Sequence, residues 1–122
     1  MATGRLLIVE DDEGLRETLA EVLTDDGHEV RMASDGEAAL EAVQDWEPEV
    51  IVLDLMMPKM DGYAFRALQR DLPAGSSAKV LILSAARDVE AAAAELGADG
   101  WLVKPFRLDD ILTAVDELLT AS

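Results

Sequence analysis

Short, nearly continuous runs of apolar residues alternate along this chain with longer segments of helical periodicity. The three clearest runs are Leu6–Val9, Val50–Leu53 and Val80–Leu83. An unbroken apolar run is typical of a strand that is buried on both faces of a parallel sheet. Glu29–Ala33 and Trp101–Val103 are weaker strand candidates. The sequence therefore predicts five strands.

The segments that follow the predicted strands carry apolar residues at helical spacing, which predicts five helices. The apolar positions of these helices are, in chain order, Leu15, Leu19, Val22 and Leu23; Ala39, Leu40 and Val43; Phe65, Leu68 and Leu72; Val89, Ala92, Ala93 and Leu96; and Leu108, Ile111, Leu112, Val115 and Leu119. Gly27 and Gly97 are placed to end the first and the fourth helix. Ser34 and Glu37 form a predicted capping box at the start of the second.

Strands that alternate with helices predict the α/β class. We expect a single doubly wound (βα)5 domain over residues 1–122, with a five-stranded parallel sheet, right-handed crossovers and helices on both faces. A chain of 122 residues can bury one core, and it must do so without disulfides because it contains no cysteine. Ligands of such sheets bind at the carboxyl ends of the strands.

Polar and charged residues stand at the carboxyl ends of four predicted strands. They are Glu10, Asp11 and Asp12 after the first run, Asp54 at the end of the third, Ser84 at the end of the fourth, and Lys104 after the fifth. These strand ends are neighbours in a doubly wound sheet, so the side chains should meet in one crevice. Two carboxylates about 4 Å apart repel by roughly 4 kcal/mol at an effective dielectric near 20. Such a cluster needs a cation, and all-oxygen ligands favour Mg²⁺ or Mn²⁺.

Beside a hard divalent cation, Asp54 is suited to attack a phosphoryl group. Phosphoryl transfer needs mainly positioning and neutralisation of the charge on three equatorial oxygens. The metal would hold one oxygen, Lys104 another, and the Ser84 hydroxyl with nearby backbone N–H groups the third. The predicted product is an acyl phosphate on Asp54.

Four segments of the chain resemble the bacterial receiver domain of two-component response regulators. They are residues 7–12, 52–62, 83–85 and 97–106, which occur in order at the predicted strand ends. Each is a weak signal alone, but the four together are a strong one. The resemblance covers the whole chain and implies the flavodoxin-like strand order 2-1-3-4-5. It also implies a phosphoacceptor that assists its own phosphorylation and slow dephosphorylation, and not a turnover enzyme.

The resemblance assigns the metal site to four residues. Asp11 would be a direct metal ligand, and Glu10 would act through water. Asp54 would be both the phosphoacceptor and a metal ligand. The backbone carbonyl of Met56 would complete the ligands that the protein supplies.

The resemblance also assigns the phosphoryl-binding and switch residues. Ser84 and Lys104 would bind the phosphoryl group, and Ser84 would act as a switch residue together with Trp101, which occupies the aromatic switch position. The peptide bond between Lys104 and Pro105 would be cis.

The resemblance also implies the partners. A histidine kinase or a histidine phosphotransfer protein would donate the phosphoryl group, and an unidentified downstream protein would bind the surface of the fourth helix, fifth strand and fifth helix. We expect a monomer or a weak dimer through that surface.

Charge and hydropathy limit the other partners. The formal net charge of −16 disfavours direct binding to nucleic acid or to anionic membranes. The apolar runs are too short to span a bilayer, and the N-terminus lacks the apolar stretch of a signal peptide. We therefore expect a cytoplasmic protein, and favour a stand-alone receiver slightly over a piece of a larger regulator or hybrid kinase.

Two other functions stay open. A hydrolase of the haloacid-dehalogenase type also uses an aspartyl nucleophile, but it places a second Asp where this chain has Met56, which cannot transfer a proton. A pseudo-receiver would bind its partner regardless of phosphorylation. Trp101, where Tyr or Phe is common, and a short interval between Ser84 and Lys104 favour this alternative, whereas the intact site residues oppose it.

Three conspicuous residues are not assigned to the site. Asp12 is interpreted as a cap of the first helix. Trp46 is interpreted as a packing residue, and His28 receives no function.

Overall fold

The computed structural model describes residues 3–55, 78–85 and 88–120. Within them, five parallel strands form one sheet in the order β2-β1-β3-β4-β5, which confirms the predicted fold class. The strands are β1 (Arg5–Val9), β2 (Glu29–Ala33), β3 (Val50–Asp54), β4 (Lys79–Ser84) and β5 (Gly100–Val103). Each lies within one residue of its predicted bounds.

Four helices are described. They are α1 (Glu13–Asp25), α2 (Gly36–Asp45), α3 (Val89–Leu96) and α4 (Leu108–Thr120). The predicted fourth and fifth helices are thus α3 and α4. The predicted helix of Phe65, Leu68 and Leu72, like the predicted ligand Met56, lies outside the described residues. No described helix is both long enough and apolar enough to cross a lipid bilayer.

The sheet separates two layers of core side chains. Leu7 and Val9 of β1 pack in one layer with residues of α2 and α3, whereas Leu6 and Ile8 pack in the other with residues of α1 and α4. Successive side chains of a strand point to opposite faces, so a strand covered by helices on both sides must be apolar at every position. This is the physical reason for the unbroken runs in β1, β3 and β4.

The two edge strands gave the weaker sequence patterns because they are less covered. In β2 only Ala33 is buried, and in β5 the side chains alternate between exposed and half-buried. Edge strands have one neighbour in the sheet and therefore tolerate polar residues. Because all five strands are parallel, the loops that follow β2 and β5 still lie at the carboxyl edge of the sheet.

The helix ends confirm two glycine predictions and correct one cap. Gly97 directly follows α3 and Gly27 follows α1 after one intervening residue, Asp26; their positive φ angles, 69° and 98°, are ones that glycine tolerates best. The predicted capping box of Ser34 and Glu37 is wrong. Asp35 caps α2 instead, because its carboxylate, a strong acceptor at a helix N-terminus, accepts a hydrogen bond from the Ala38 N–H at 2.9 Å.

Candidate functional site

Strand pairing brings three carboxylates together. Glu10 directly follows β1, and Asp54 is the last residue of β3. The residues that precede them, Val9 and Leu53, are paired in the sheet. Oxygen atoms of Glu10, Asp11 and Asp54, one from each, all lie within 4.8 Å of one another. Glu10 and Asp54 are buried, and Asp11 is exposed. One hard divalent cation fits this donor set, because each of the three carboxylates can supply one oxygen ligand to it.

Lys104 crosses the carboxyl edge of the sheet to reach these carboxylates. Its Nζ donates hydrogen bonds to both carboxylate oxygens of Glu10, at 2.9 and 3.2 Å, and lies 3.5 Å from Asp54 Oδ2. Its backbone N–H donates to the Ser84 carbonyl at 2.8 Å, and its peptide bond to Pro105 is cis. The ammonium thus neutralises part of the charge of two buried carboxylates.

Ser84 and Trp101 lie on the two strands at the far side of Asp54. Ser84 is buried at the end of β4, one residue beyond Leu83, the partner of Asp54 in the sheet. Trp101 lies near the start of β5, where it pairs with Ile82, and its side chain is 40% exposed. Ser84 therefore belongs to the carboxyl edge, whereas the indole of Trp101 reaches solvent.

Burial, together with the crowding of like charges, shifts the pKa values of the cluster. Burial raises the pKa of Glu10 from 4.5 to about 7; the hydrogen bond from Lys104 opposes that rise, and Asp54 adds to it. Burial and the neighbouring Asp54 also raise the pKa of Asp11. Burial disfavours the charged form of Lys104, but its hydrogen bond to Glu10 and the charge of Asp54 outweigh burial, so the pKa of Lys104 is raised. A bound cation would lower the carboxyl pKa values again, because it favours the charged form of each carboxylate and relieves the repulsion that adds to the effect of burial.

Without metal, the free energy of unfolding is expected to fall as pH rises from 5 to 8. The folded state binds the Glu10 proton more tightly than the unfolded state does, with a pKa of about 7 against 4.5, so the stabilisation is present at low pH and is lost as pH rises through 7. The Lys104 ammonium stays charged throughout this range, because its pKa is raised above an ordinary 10.5. The expected loss is about 2 kcal/mol, measured by urea unfolding in EDTA.

Glu10→Gln is the matched variant for this pH dependence, because it keeps the shape of the side chain and removes the titration. Its stability should change much less between pH 5 and pH 8 than that of the wild type. If both proteins show the same slope, the pH dependence comes from the other carboxylates of this acidic chain and not from Glu10.

The sequence did not reveal the role of Arg16. Its Nη1 donates to the backbone carbonyl of Glu10 at 2.9 Å, with the Asp11 carbonyl at 3.5 Å, and so holds the loop between β1 and α1. The sequence feature that could have indicated this role is that Arg16 is the only basic residue between positions 10 and 25. That pattern is equally typical of a surface ion pair. Asp12 caps α1 by accepting from the Leu15 N–H at 3.0 Å, as interpreted from the sequence.

His28 and Trp46 both have structural contacts away from the cluster. His28 is buried; its Nδ1 accepts a hydrogen bond from the Gly4 N–H at 3.2 Å, and its Nε2 lies 3.5 Å from an oxygen of Asp26. Trp46 is buried under the guanidinium of Arg31, which lies 4.6 Å from the centroid of the indole. These contacts lie near the start of β1 and the end of α2, so neither residue contributes to the carboxyl-edge site.

Comparisons with known proteins agree with this architecture. The family model described as "Response regulator receiver domain" matches residues 6–116. The chain is 38% identical over 121 residues to the response regulator MprA of Mycolicibacterium vanbaalenii, and 40% identical over 121 residues to MprA of Mycobacterium leprae. Each match covers 94% of this chain and 50% of the relative, so the chain spans half the length of these curated relatives.

Solved structures match over nearly the whole chain. The chemotaxis response regulator CheY4 of Vibrio cholerae superposes with a TM-score of 0.88 at 31% identity, covering 96% of this chain and 99% of CheY4. The receiver domain of the Francisella response regulator 1452 superposes with a TM-score of 0.86 at 28% identity, covering 95% and 96% of the two chains.

Proposed function

The chain belongs to the receiver domain family of two-component response regulators, and we propose that it accepts a phosphoryl group on Asp54 from a histidine kinase or a histidine phosphotransfer protein. Members of this family are signalling modules and not turnover enzymes. The observation that carries the proposal is the convergence of Asp54 with Glu10, Asp11 and Lys104 at one edge of the sheet. The family model matches residues 6–116, and we propose that the whole of residues 1–122 forms this single receiver domain.

We assign Glu10, Asp11 and Asp54 to a Mg²⁺ site, which Mn²⁺ would also fit, with the carbonyl of Met56 as a further ligand. All three side chains offer hard oxygen donors within 4.8 Å of one another, which is the donor chemistry that these ions prefer. When bound, the ion would supply positive charge to a phosphoryl oxygen. Lys104 also partly compensates the negative charge of two of these carboxylates, Glu10 and Asp54.

The proposed reaction is an in-line displacement at phosphorus. A carboxylate oxygen of Asp54 forms the new P–O bond while the P–N bond of a donor phosphohistidine breaks, and the imidazole leaves with the electron pair of that bond. We propose that Lys104, whose Nζ lies 3.5 Å from Asp54 Oδ2, contacts one phosphoryl oxygen and that the Ser84 hydroxyl contacts another. The product is an acyl phosphate on Asp54.

Met56 cannot assist hydrolysis of that acyl phosphate. Rapid hydrolysis of an aspartyl phosphate needs a general base that accepts a proton from the attacking water, and a thioether cannot do so. We therefore propose slow loss of the phosphoryl group. This lifetime would allow Ser84 and Trp101 to pass the charge change to a downstream protein.

A receiver-like module that ignores phosphorylation is the alternative. It is favoured by Trp101 in the aromatic switch position and by the short interval of twenty residues between Ser84 and Lys104. Equal affinity of the partner for the phosphorylated and unphosphorylated protein would support it.

Incubation with acetyl phosphate and Mg²⁺ tests the proposed function. Intact mass spectrometry should show one added phosphoryl group, and excess EDTA should prevent the addition. Asp11→Asn should slow it by at least about tenfold, because one negative charge is lost from the cation site.

Asp12→Asn is the matched control, since it changes the adjacent carboxylate and Asn caps a helix as well as Asp does. It should be phosphorylated at nearly the wild-type rate. Failure of the wild type to gain any phosphoryl group would overturn the proposed function.

A further inference from the structure

One arginine lies directly beside the loop that carries two of the proposed metal ligands. Arg16 is the fourth residue of α1, and helical side chains lean toward the N-terminus of their helix, so its guanidinium reaches back over that loop. Its Nη1 donates to the backbone carbonyl of Glu10 at 2.9 Å and lies 3.5 Å from the carbonyl oxygen of Asp11. Arg16 therefore contacts the main chain of both acidic residues.

Stabilisation of α1 does not explain a positive charge at this position. The dipole of a helix disfavours a cation in its first turn. The chain has 26 acidic residues, yet within residues 3–55, 78–85 and 88–120 Arg16 forms no salt bridge. Its guanidinium donates to backbone carbonyls instead, and a hydrogen bond from a charged donor is stronger than one from a neutral donor. The loop is therefore the structure that Arg16 supports.

Other contacts fix the two ends of this loop. The Glu10 N–H donates to the Ala33 carbonyl of β2 at 3.1 Å, which anchors the loop to the sheet. Asp12 anchors it to α1, because its carboxylate accepts from the Leu15 N–H at 3.0 Å and its carbonyl accepts from the Arg16 N–H at 2.8 Å. The side chain of Arg16 supplies a donor to the carbonyls between these anchors. It thereby restrains the segment from which both acidic side chains project.

Asp11 depends on this restraint more than the other two carboxylates do. Glu10 and Asp54 are buried, so the surrounding atoms limit their movement. The side chain of Asp11 is exposed, and its position therefore depends mainly on the backbone of the loop. Mg²⁺ demands near-ideal octahedral geometry, whereas Ca²⁺ accepts irregular coordination. A displacement of Asp11 should consequently lower the affinity for Mg²⁺ more than the affinity for Ca²⁺.

We propose that Arg16 is a positioning residue of the metal site, which holds Glu10 and Asp11 through their backbone carbonyls and thereby favours Mg²⁺ over Ca²⁺. This inference rests on the proposed function, because it concerns the cation site of that function. Replacing a residue that orients metal ligands typically lowers metal affinity by roughly 10- to 100-fold. Arg16 has this effect through the main chain, and against the repulsion between its own charge and the cation.

Arg16→Met tests the inference, and Arg5→Met is the matched control. Both substitutions remove one positive charge and one hydrogen bond to a backbone carbonyl, because Arg5 Nε donates to the Glu47 carbonyl at 2.7 Å. Arg5 is the first residue of β1, about 16 Å along the strand from the loop that follows it. The EPR signal of free Mn²⁺ measures binding to the full chain, and competition against bound Mn²⁺ gives the affinities for Mg²⁺ and Ca²⁺.

Arg16→Met should weaken Mg²⁺ binding by about tenfold and Ca²⁺ binding by no more than about threefold. Arg5→Met should leave both affinities within about twofold of the wild type. Loss of a positive charge alone would strengthen the binding of both cations by a similar factor, so weaker and unequal binding identifies an effect on geometry. Arg16→Lys should recover only part of the Mg²⁺ affinity, because a single ammonium lacks the fork of donors of a guanidinium.

Two results would overturn the inference. Unchanged Mg²⁺ affinity in Arg16→Met, together with a lower free energy of unfolding in urea, would limit Arg16 to stabilising the fold. Equal loss of Mg²⁺ and Ca²⁺ affinity would show that Arg16 does not set the geometry of the site. Should Arg16→Met fail to fold, the same comparison of the two cations in Arg16→Lys decides the question.

Phosphorylation by acetyl phosphate separates this inference from the proposed function. In Arg16→Met the Mg²⁺ concentration that gives half of the maximal rate should rise about tenfold, while the rate at saturating Mg²⁺ stays within about threefold of the wild type. A lower saturating rate with an unchanged half-saturating concentration would refute the positioning role. A wild type that binds no Mn²⁺ and gains no phosphoryl group would remove the proposed function itself.

Discussion

Replacing Asp54 with asparagine is expected to abolish phosphorylation by acetyl phosphate. The amide has nearly the shape of the carboxylate but is neutral and is a far weaker nucleophile. Asp54 is buried at the end of β3, with its carboxylate 3.5 Å from Lys104 Nζ, so no neighbouring carboxylate can take its place in that position. Intact mass spectrometry after incubation with Mg²⁺ and acetyl phosphate measures the loss directly.

Asp35→Asn is the control for this substitution. Asp35 caps α2 through a hydrogen bond from the Ala38 N–H, a bond that asparagine can also accept. That variant should acquire one phosphoryl group at the wild-type rate, and thermal unfolding should show that both variants are folded. An undiminished adduct in Asp54→Asn would place the phosphoacceptor elsewhere.

The strands were the most predictable part of the fold. Residues Val50–Leu53 are apolar without interruption because β3 lies in the middle of the sheet and is buried on both faces. Residues Glu29–Ala33 were harder to identify, because β2 is an edge strand and four of its five side chains are not buried. The strand order came from the resemblance to a family, since periodicity alone does not specify which strands are neighbours.

The site was predictable as a group of residues, but not as a set of contacts. The rule that ligands bind at the carboxyl ends of parallel strands is enough to place Glu10, Asp54 and Lys104 together. It does not say that the ammonium of Lys104 lies closer to Glu10 than to Asp54, at 2.9 against 3.5 Å. The lysine side chain is long and flexible, so its partner depends on the positions and burial of both carboxylates.

The residue that caps α2 and the contact of Arg16 were also not predictable from the sequence. Ser34 and Asp35 are adjacent and both can cap a helix, so a shift of one residue decides between them. The bond from Arg16 to the Glu10 carbonyl depends on the conformation of the loop between β1 and α1. Such backbone contacts leave no recognisable pattern in the sequence, because the partner is a carbonyl group that every residue has.

Lys104 connects the stability of the fold to the charge of the site. Its ammonium contacts two buried carboxylates, while its own side chain is 23% exposed. Burying two carboxylates is unfavourable unless a positive charge compensates them. The same lysine is proposed to bind the phosphoryl group, so the residue that compensates the buried carboxylates would also contribute to the proposed chemistry.

Lys104→Gln is therefore expected to lower the free energy of unfolding in EDTA by roughly 3 kcal/mol at pH 8. Removing one partner of a buried ion pair leaves an uncompensated charge, which typically costs 3–5 kcal/mol, and the partial exposure of Lys104 places the value at the lower end of that range. Mg²⁺ should recover part of the loss, because it adds positive charge to the same carboxylates. Urea unfolding with and without Mg²⁺ measures both effects.

A double-mutant cycle with Glu10→Gln isolates the contribution of the pair. Once Glu10 is neutral, loss of the lysine leaves fewer uncompensated charges, so Lys104→Gln should cost less in the Glu10→Gln background than in the wild type. The double variant should accordingly be more stable in EDTA than Lys104→Gln alone. Additive effects of the two substitutions would mean that the contact at 2.9 Å contributes nothing to stability and that Lys104 acts on the fold through Asp54 or by packing.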